Sequence, residues 1–135
     1  QATRASAQTA SRRHAVAEKD TLGRAGEERA VAYLIERGYR ILDRNWRCRD
    51  GEIDIVAEHR EWLVIVEVKT RRGEGFGHPF DAITEQKLTR LHRLAMAWAV
   101  AHPTQGAQRP LRVDAISVLG PDPATAAIDH IAGLR

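Results

Sequence analysis

The run Trp62-Leu63-Val64-Ile65-Val66-Glu67-Val68-Lys69 constrains this chain more than any other feature. Its first five residues are apolar with no alternation. A strand of that kind is covered on both faces, so it belongs inside a sheet with layers above and below it. Glu67 and Lys69 then interrupt it. They are two apart and project from one face. Charges in such a strand carry a desolvation cost unless they are paired or used.

The flanking elements follow from local signals. A helix is predicted from about Leu22 to Arg37, with Thr21 as its cap, Glu27 and Glu28 near its positive end and Gly38 as its stop. Tyr39-Arg40-Ile41-Leu42 begins a short strand, with Trp46 beyond it. Asp50-Gly51 is a tight-turn dipeptide. Glu52 to Glu58 alternates, with Ile53, Ile55 and Ala57 expected on one face and Glu52, Asp54 and Val56 on the other. The link His59-Arg60-Glu61 makes this strand and Trp62–Lys69 a hairpin. Thr70 to Pro79 holds Gly73, Gly75 and Gly77 and reads as a mobile loop.

A second helix is expected from about Asp81 to Ala101, with Ile83, Leu88, Leu91, Leu94, Ala95 and Trp98 at helical spacing. His102 to Pro110 reads as a loop and Leu111 to Leu119 as a strand. Pro121 and Pro123 end that strand, and Ile128 to Ile131 reads as a last short one. The order is α-β-β-β-α-β, with a final β, so the expected class is α/β, one domain over residues 21–135. Residues 1–20 are Ala, Ser, Thr, Gln and Arg with little to bury, and read as a disordered basic tail. Such composition is shared with organellar transit peptides, but the segment lacks an amphipathic stripe.

Composition bounds the function. With 135 residues, 43% hydrophobic and 29% charged, the chain can bury a core without staples. The single cysteine, Cys48, excludes an intrachain disulfide framework. No run approaches the ~18 apolar residues of a membrane span, which excludes an integral membrane protein crossing by helices, and the expected location is the cytoplasm. The net charge of +3 permits an acidic partner without demanding one, and Arg4, Arg12, Arg13 and Lys19 place part of it in the tail. Local clusters matter more. Arg37, Arg40, Arg44, Arg47 and Arg49 face only Asp43, and Lys69, Arg71 and Arg72 open the glycine-rich loop. Such patches can neutralise phosphates, or can be the solvated surface of an arginine-rich protein.

Four polar residues stand where the pattern wants apolar ones. Glu67 and Lys69 are two. Asp54, on the neighbouring hairpin strand, can reach Glu67, since paired strands lie ~4.8 Å apart. Two carboxylates and an ammonium would then converge at one end of the sheet. Carboxylates suit Mg²⁺, and a lysine beside the metal can orient or deprotonate a water or clamp a phosphate. The bland alternative is an internal ion pair. Glu27 is the third oddity, because it shares a helix face with Ala30, Val31 and Leu34. Lys87 is the fourth, on the stripe of Ile83, Leu91, Leu94 and Trp98, where a snorkelling lysine is the alternative. The histidines at 14, 59, 78, 92, 102 and 130 show no metal-ligand spacing.

Taken together, Gly26-Glu27, Gly51-Glu52-Ile53-Asp54-Ile55-Val56, Val66-Glu67-Val68-Lys69-Thr70-Arg71, Phe76-Gly77, Lys87 and Arg112-Val113-Asp114-Ala115-Ile116 resemble the YraN-like family of presumed bacterial endonucleases. That family is similar to archaeal Holliday junction resolvases. The resemblance spans roughly residues 21–119 and implies a restriction-endonuclease-like mixed β-sheet flanked by helices. It further implies a hydrolase that cuts DNA, branched or otherwise structured DNA among its substrates, with Mg²⁺ or Mn²⁺ as cofactor. Carried over, Asp54 and Glu67 would be metal ligands, Lys69 the catalytic lysine and Glu27 the helix carboxylate of the site. Arg44, Arg47, Arg71, Arg72, Gln86 and Lys87 would contact nucleic acid. The wider nuclease motif often has Pro before its first Asp, where this chain has Ile53. A non-catalytic nucleic-acid-binding module on the same fold is the alternative, and a scaffold protein a third reading. Nucleic acid, DNA foremost, is the expected partner, with no membrane, and a homodimer stays open.

Overall fold

The computed structural model describes residues 21–73, 83–106 and 108–134. The predicted tail over 1–20, Phe76-Gly77 and the expected helix start at Asp81 lie outside them. Helix α1 covers residues 21–36. It ends as its sequence dictates. Gly38 takes φ +89, its N–H reaches Ile35 O at 3.0 Å, and the N–H of Tyr39 reaches back to Leu34 O at 2.9 Å. That pair of bonds satisfies carbonyls left open by the last turn, and Tyr39 and Leu34 close it with an apolar contact.

Strands β1 (Arg40–Cys48), β2 (Gly51–His59) and β3 (Trp62–Arg71) form an antiparallel meander. Helix α2 (Glu85–Ala101) and the short α3 (Pro103–Gly106) lead to β4 (Leu111–Leu119), and a 3₁₀ turn at Pro123–Thr125 leads to β5 (Ala127–Ile131). The sheet has the order β1-β2-β3-β4-β5, with β4 parallel to β3 and β5 antiparallel to β4. It is therefore a five-stranded mixed sheet flanked by helices, with β3 at its centre. The apolar run of β3 is divided between the two faces. Val64 and Val66 pack with Ala30 and Leu34 of α1, and Leu63 and Ile65 pack with Leu91, Leu94 and Trp98 of α2.

Several boundaries differ from the sequence-based expectations for physical reasons. The first strand is nine residues long rather than short, because it pairs with the whole of β2 through a register shift between Ile41 and Asp43. Helix α2 starts at Glu85, not Asp81. Thr84 caps it, accepting the Lys87 N–H at 3.1 Å, so Ile83 stands outside. Four residues of the expected loop form α3, seated where Gly106 is buried close against Ala99.

The two-residue alternation expected for β2 fails at one position. Ile55 and Ala57 face α1, but Ile53 lies on the α2 side with Val56. The ladder between β2 and β3 ends at Ile55 and Val66. Beyond that rung β2 is held by β1 alone, so Ile53 is free to turn to the other core. Asp54 stands at the break.

Candidate active site

Where β2 and β3 part, their ladder is replaced by a side chain. Asp54 Oδ2 accepts the backbone N–H of Val68 at 2.8 Å. Burial pushes the Asp54 carboxyl from its ordinary value up to about 7, with the charges of Glu67, Glu27 and Glu52 adding to it and the Val68 N–H opposing. A half-buried carboxyl that resists ionisation is an electrostatic problem that a bound cation would relieve.

Glu67 and Lys69 share a face of β3, and Lys69 Nζ lies 3.7 Å from Glu67 Oε1. The same oxygen receives Lys87 Nζ from α2 at 3.0 Å. The Lys87 position on the apolar stripe thus has a cause, since it reaches past the core to a half-buried carboxylate. Burial lowers the affinity of Lys69 for its proton, the neighbouring Lys87 lowers it further, and Glu67 and Asp54 pull the other way.

Glu27 is buried on α1 at 7% exposure. Its Oε1 takes Arg44 Nε at 3.1 Å and Asn45 Nδ2 at 2.9 Å, while Arg44 Nη2 also reaches Glu28 at 2.7 Å. Asn45 holds φ +52, an uncommon backbone for a residue other than glycine. Gly26, the residue before Glu27, explains how α1 comes this near the sheet, because a Cβ there would sit 2.7 Å from Thr70 Cβ.

These residues border a cleft of ≈ 990 Å³ lined by Glu27, Asn45, Arg47, Asp54, Lys69 and Arg71 among others. The cleft gathers Glu27, Asp54 and Lys69, with Arg47, Arg71 and Arg72 at its wall. Glu67 stands beside it, coupled to Asp54 through charge and to Lys69 through the ion pair. Arg44 is held by Glu27 and Glu28 rather than presented to the cleft. Gln86 and Lys87 lie on a separate groove along α2.

Two hard-oxygen carboxylates and open space fit a divalent cation of the magnesium type, which takes one or two protein carboxylates and keeps waters. Asp54 and Glu67 would be the pair to hold it, Asp54 on the cleft wall and Glu67 beside it. Glu27 is engaged by Arg44 and Asn45, and among the described residues no three His, Cys, Asp or Glu stand grouped as a ready-made ligand set. No described helix is long and apolar enough to cross a membrane.

A second polar centre had no part in the sequence-based site. Asp114 is fully buried in β4. Arg112 grips both its oxygens, at 2.9 and 3.1 Å, and Tyr39 OH, His130 Nε2 and the Gly133 N–H complete its shell at 3.0, 2.8 and 3.0 Å. The signal was present, since Asp114 interrupts an apolar strand as Glu67 does. Its partners Tyr39 and His130 are too distant in sequence to be read together.

The model of the uncharacterised protein family UPF0102 matches residues 26–118. A UPF0102 protein of Arthrobacter sp. (strain FB24) is 51% identical over 116 residues, covering 86% of this chain and 97% of its own. One of Clavibacter michiganensis is 53% identical over 100 residues, covering 74% and 83%. One of Leifsonia xyli is 48% identical over 120 residues, covering 88% and 99%.

Proposed function

The chain belongs to the uncharacterised protein family UPF0102, and from its site we propose that it is a divalent-metal-dependent endonuclease hydrolysing DNA phosphodiester bonds. The observation that carries this is the state of Asp54. It is half-buried, pushed up to about 7 by that burial and by the charge of Glu67, and placed with a lysine of weakened hold on its proton at the wall of an arginine-lined cleft. Perturbed groups of both signs in one cleft are characteristic of sites that do chemistry. The resemblance of Asp54, Glu67 and Lys69 to the YraN-like and resolvase-like pattern supports the same reading, including a preference for branched DNA and a restriction-endonuclease-like ancestry of the sheet.

In this reading Asp54 and Glu67 would hold Mg²⁺ or Mn²⁺. The bound ion supplies an acidified water and offsets the charge developing on the phosphate. Lys69 Nζ orients the attacking water and takes up or returns a proton there. Glu27, locked by Arg44 and Asn45, adds negative field from α1 and keeps the cleft attractive to a cation. Arg47, Arg71 and Arg72 would bind phosphates flanking the cut.

One observation favours a second reading, a non-catalytic nucleic-acid-binding module. Glu67 already has Lys69 and Lys87 as partners, an arrangement that is satisfied without metal. The two readings separate when branched, single-stranded and duplex DNAs are incubated with the protein in Mg²⁺ or Mn²⁺ and, in parallel, in EDTA. Metal-dependent cleavage establishes the nuclease. Binding in EDTA with no cleavage of any substrate under either metal rejects it in favour of the binding module.

A further inference from the structure

Lys69 and Lys87 approach one oxygen of Glu67 from two different grooves. Lys69 lines the cleft, and Lys87 lines a groove of ≈ 550 Å³ along α2 that also includes Gln86, Thr89, Arg90 and Arg93. Glu67 thus links a lysine of one groove to a lysine of the other. On the α2 side, Arg90 and Arg93 are exposed and engage no carboxylate among the described residues. They are three apart and so adjacent on the helix surface, where like charges repel. Among the described residues no aromatic side chain lines this groove. What it offers is charge, planar guanidinium donors and the neutral donors of Gln86 and Thr89. That chemistry suits phosphate oxygens and has little with which to read or stack bases.

We infer that Arg90 and Arg93 form a phosphate-binding ridge that carries the DNA backbone along α2, away from Glu67 on the side opposite the cleft. The inference rests on the nuclease reading and extends it. The substrate is held on both sides of the reacting position, and the α2 contacts are independent of base sequence. The alternative is a solvated arginine-rich helix face.

The test compares the native protein with Arg90→Ala/Arg93→Ala and Arg90→Lys/Arg93→Lys. A fluorescein-labelled duplex is titrated in EDTA at a series of salt concentrations and followed by anisotropy. Each lost phosphate contact lowers the slope of log K against log salt by roughly 0.9, so the alanine pair should lose roughly 2. The lysine pair should keep most of the slope, and thermal midpoints should stay unchanged because both residues are exposed. An alanine pair with the native slope overturns the ridge while leaving the nuclease reading intact. A native protein with no salt-dependent DNA binding also overturns the ridge, while the nuclease reading is decided separately by cleavage with Mg²⁺ or Mn²⁺.

Discussion

Asp54 Oδ2 and the Val68 N–H, 2.8 Å apart, join β2 to β3 beyond their last paired rung, Ile55 with Val66. The carboxylate serves as a substitute for a main-chain acceptor. It ties the two strands together past their ladder, and its ionisation becomes part of the stability of the fold.

That coupling has a sign. The Asp54 carboxyl is raised from 3.8 to about 7, so between those pH values the folded chain binds more protons than the unfolded one. The contribution is fully present below pH 3.8 and is lost as pH rises through about 7. Without divalent metal, chemical denaturation should show native stability falling across this window by on the order of a few kcal/mol relative to Asp54→Asn. The variant keeps an oxygen for Val68 and has no proton to lose. Parallel curves for the two proteins would contradict the raised value. Added Mn²⁺ should recover native stability at pH 8 and leave the variant unmoved.

Lys69 separates catalysis from architecture. Lys87 remains 3.0 Å from Glu67 when Lys69 is removed, so Lys69→Ala leaves no carboxylate stranded. We expect a thermal midpoint close to native together with cleavage lowered by on the order of 10²-fold or more, the scale of a lost proton-transfer group. Lys69→Arg should not restore cleavage, because a guanidinium stays charged and presents a different donor geometry. Native-rate cleavage by a folded Lys69→Ala protein would remove the residue from the mechanism.

Gly26→Ala should act on both fold and site. The new methyl would press on Thr70, with 2.7 Å between the two Cβ atoms, and neither a strand residue nor a helix backbone yields easily. Overpacking of this kind costs about 1–3 kcal/mol. Because Glu27 is the next residue, the shift of α1 also disturbs its bonds to Arg44 and Asn45. Urea denaturation gives the first effect, and a midpoint equal to native would show that α1 can slide at no cost.

Asp114→Ala should be among the most damaging substitutions in the chain. It leaves the Arg112 guanidinium without its bidentate partner, a loss of about 3–5 kcal/mol for a buried pair. Burial alone would raise the Asp114 pKa, but the hydrogen bonds from His130, Arg112 and the Gly133 N–H hold it below 3.8. Its stabilisation is therefore in place above pH 3.8 and disappears as pH falls through the depressed value. Acid titration of the fold, followed by circular dichroism, should show native unfolding at lower pH than Asp114→Asn.

The sequence is readable where the physics is local. The apolar run of β3, the stop at Gly38 and the α2 stripe depend on neighbours within a few residues, and they announced the layers and the central strand. The charges at Glu67 and Lys69 stood out because the surrounding run left no polar face to hold them. Asp54 could be placed near them because a hairpin link is short. What stayed hidden depends on distant partners. The reversal at Asp54 follows from where one ladder ends, and nothing in the Ile53-Asp54-Ile55 alternation marks it. The diversion of Arg44 to Glu27 and Glu28 joins β1 to α1, and the shell of Asp114 draws on Tyr39 and His130.

The parallel pairing of β3 with β4 divides the chain in time as well as in space. The meander β1–β3 closes through two-residue links, Arg49-Asp50 and Arg60-Glu61, whereas β4 can join only after the whole stretch from Arg71 to Leu111 has been brought round. Short closures lose little entropy and form fast, so the topology predicts a meander-first order of folding. Asp54, Glu67 and Lys69 belong to the early part and Lys87 to the late one. Alanine at Asp54 should then alter mainly the refolding rate and alanine at Lys87 mainly the unfolding rate, a division readable from the two arms of a chevron plot. In that order the carboxylates meet with Lys69 alone beside them until Lys87 arrives from α2, which makes the nascent hairpin, rather than the finished domain, the species most exposed to their mutual repulsion.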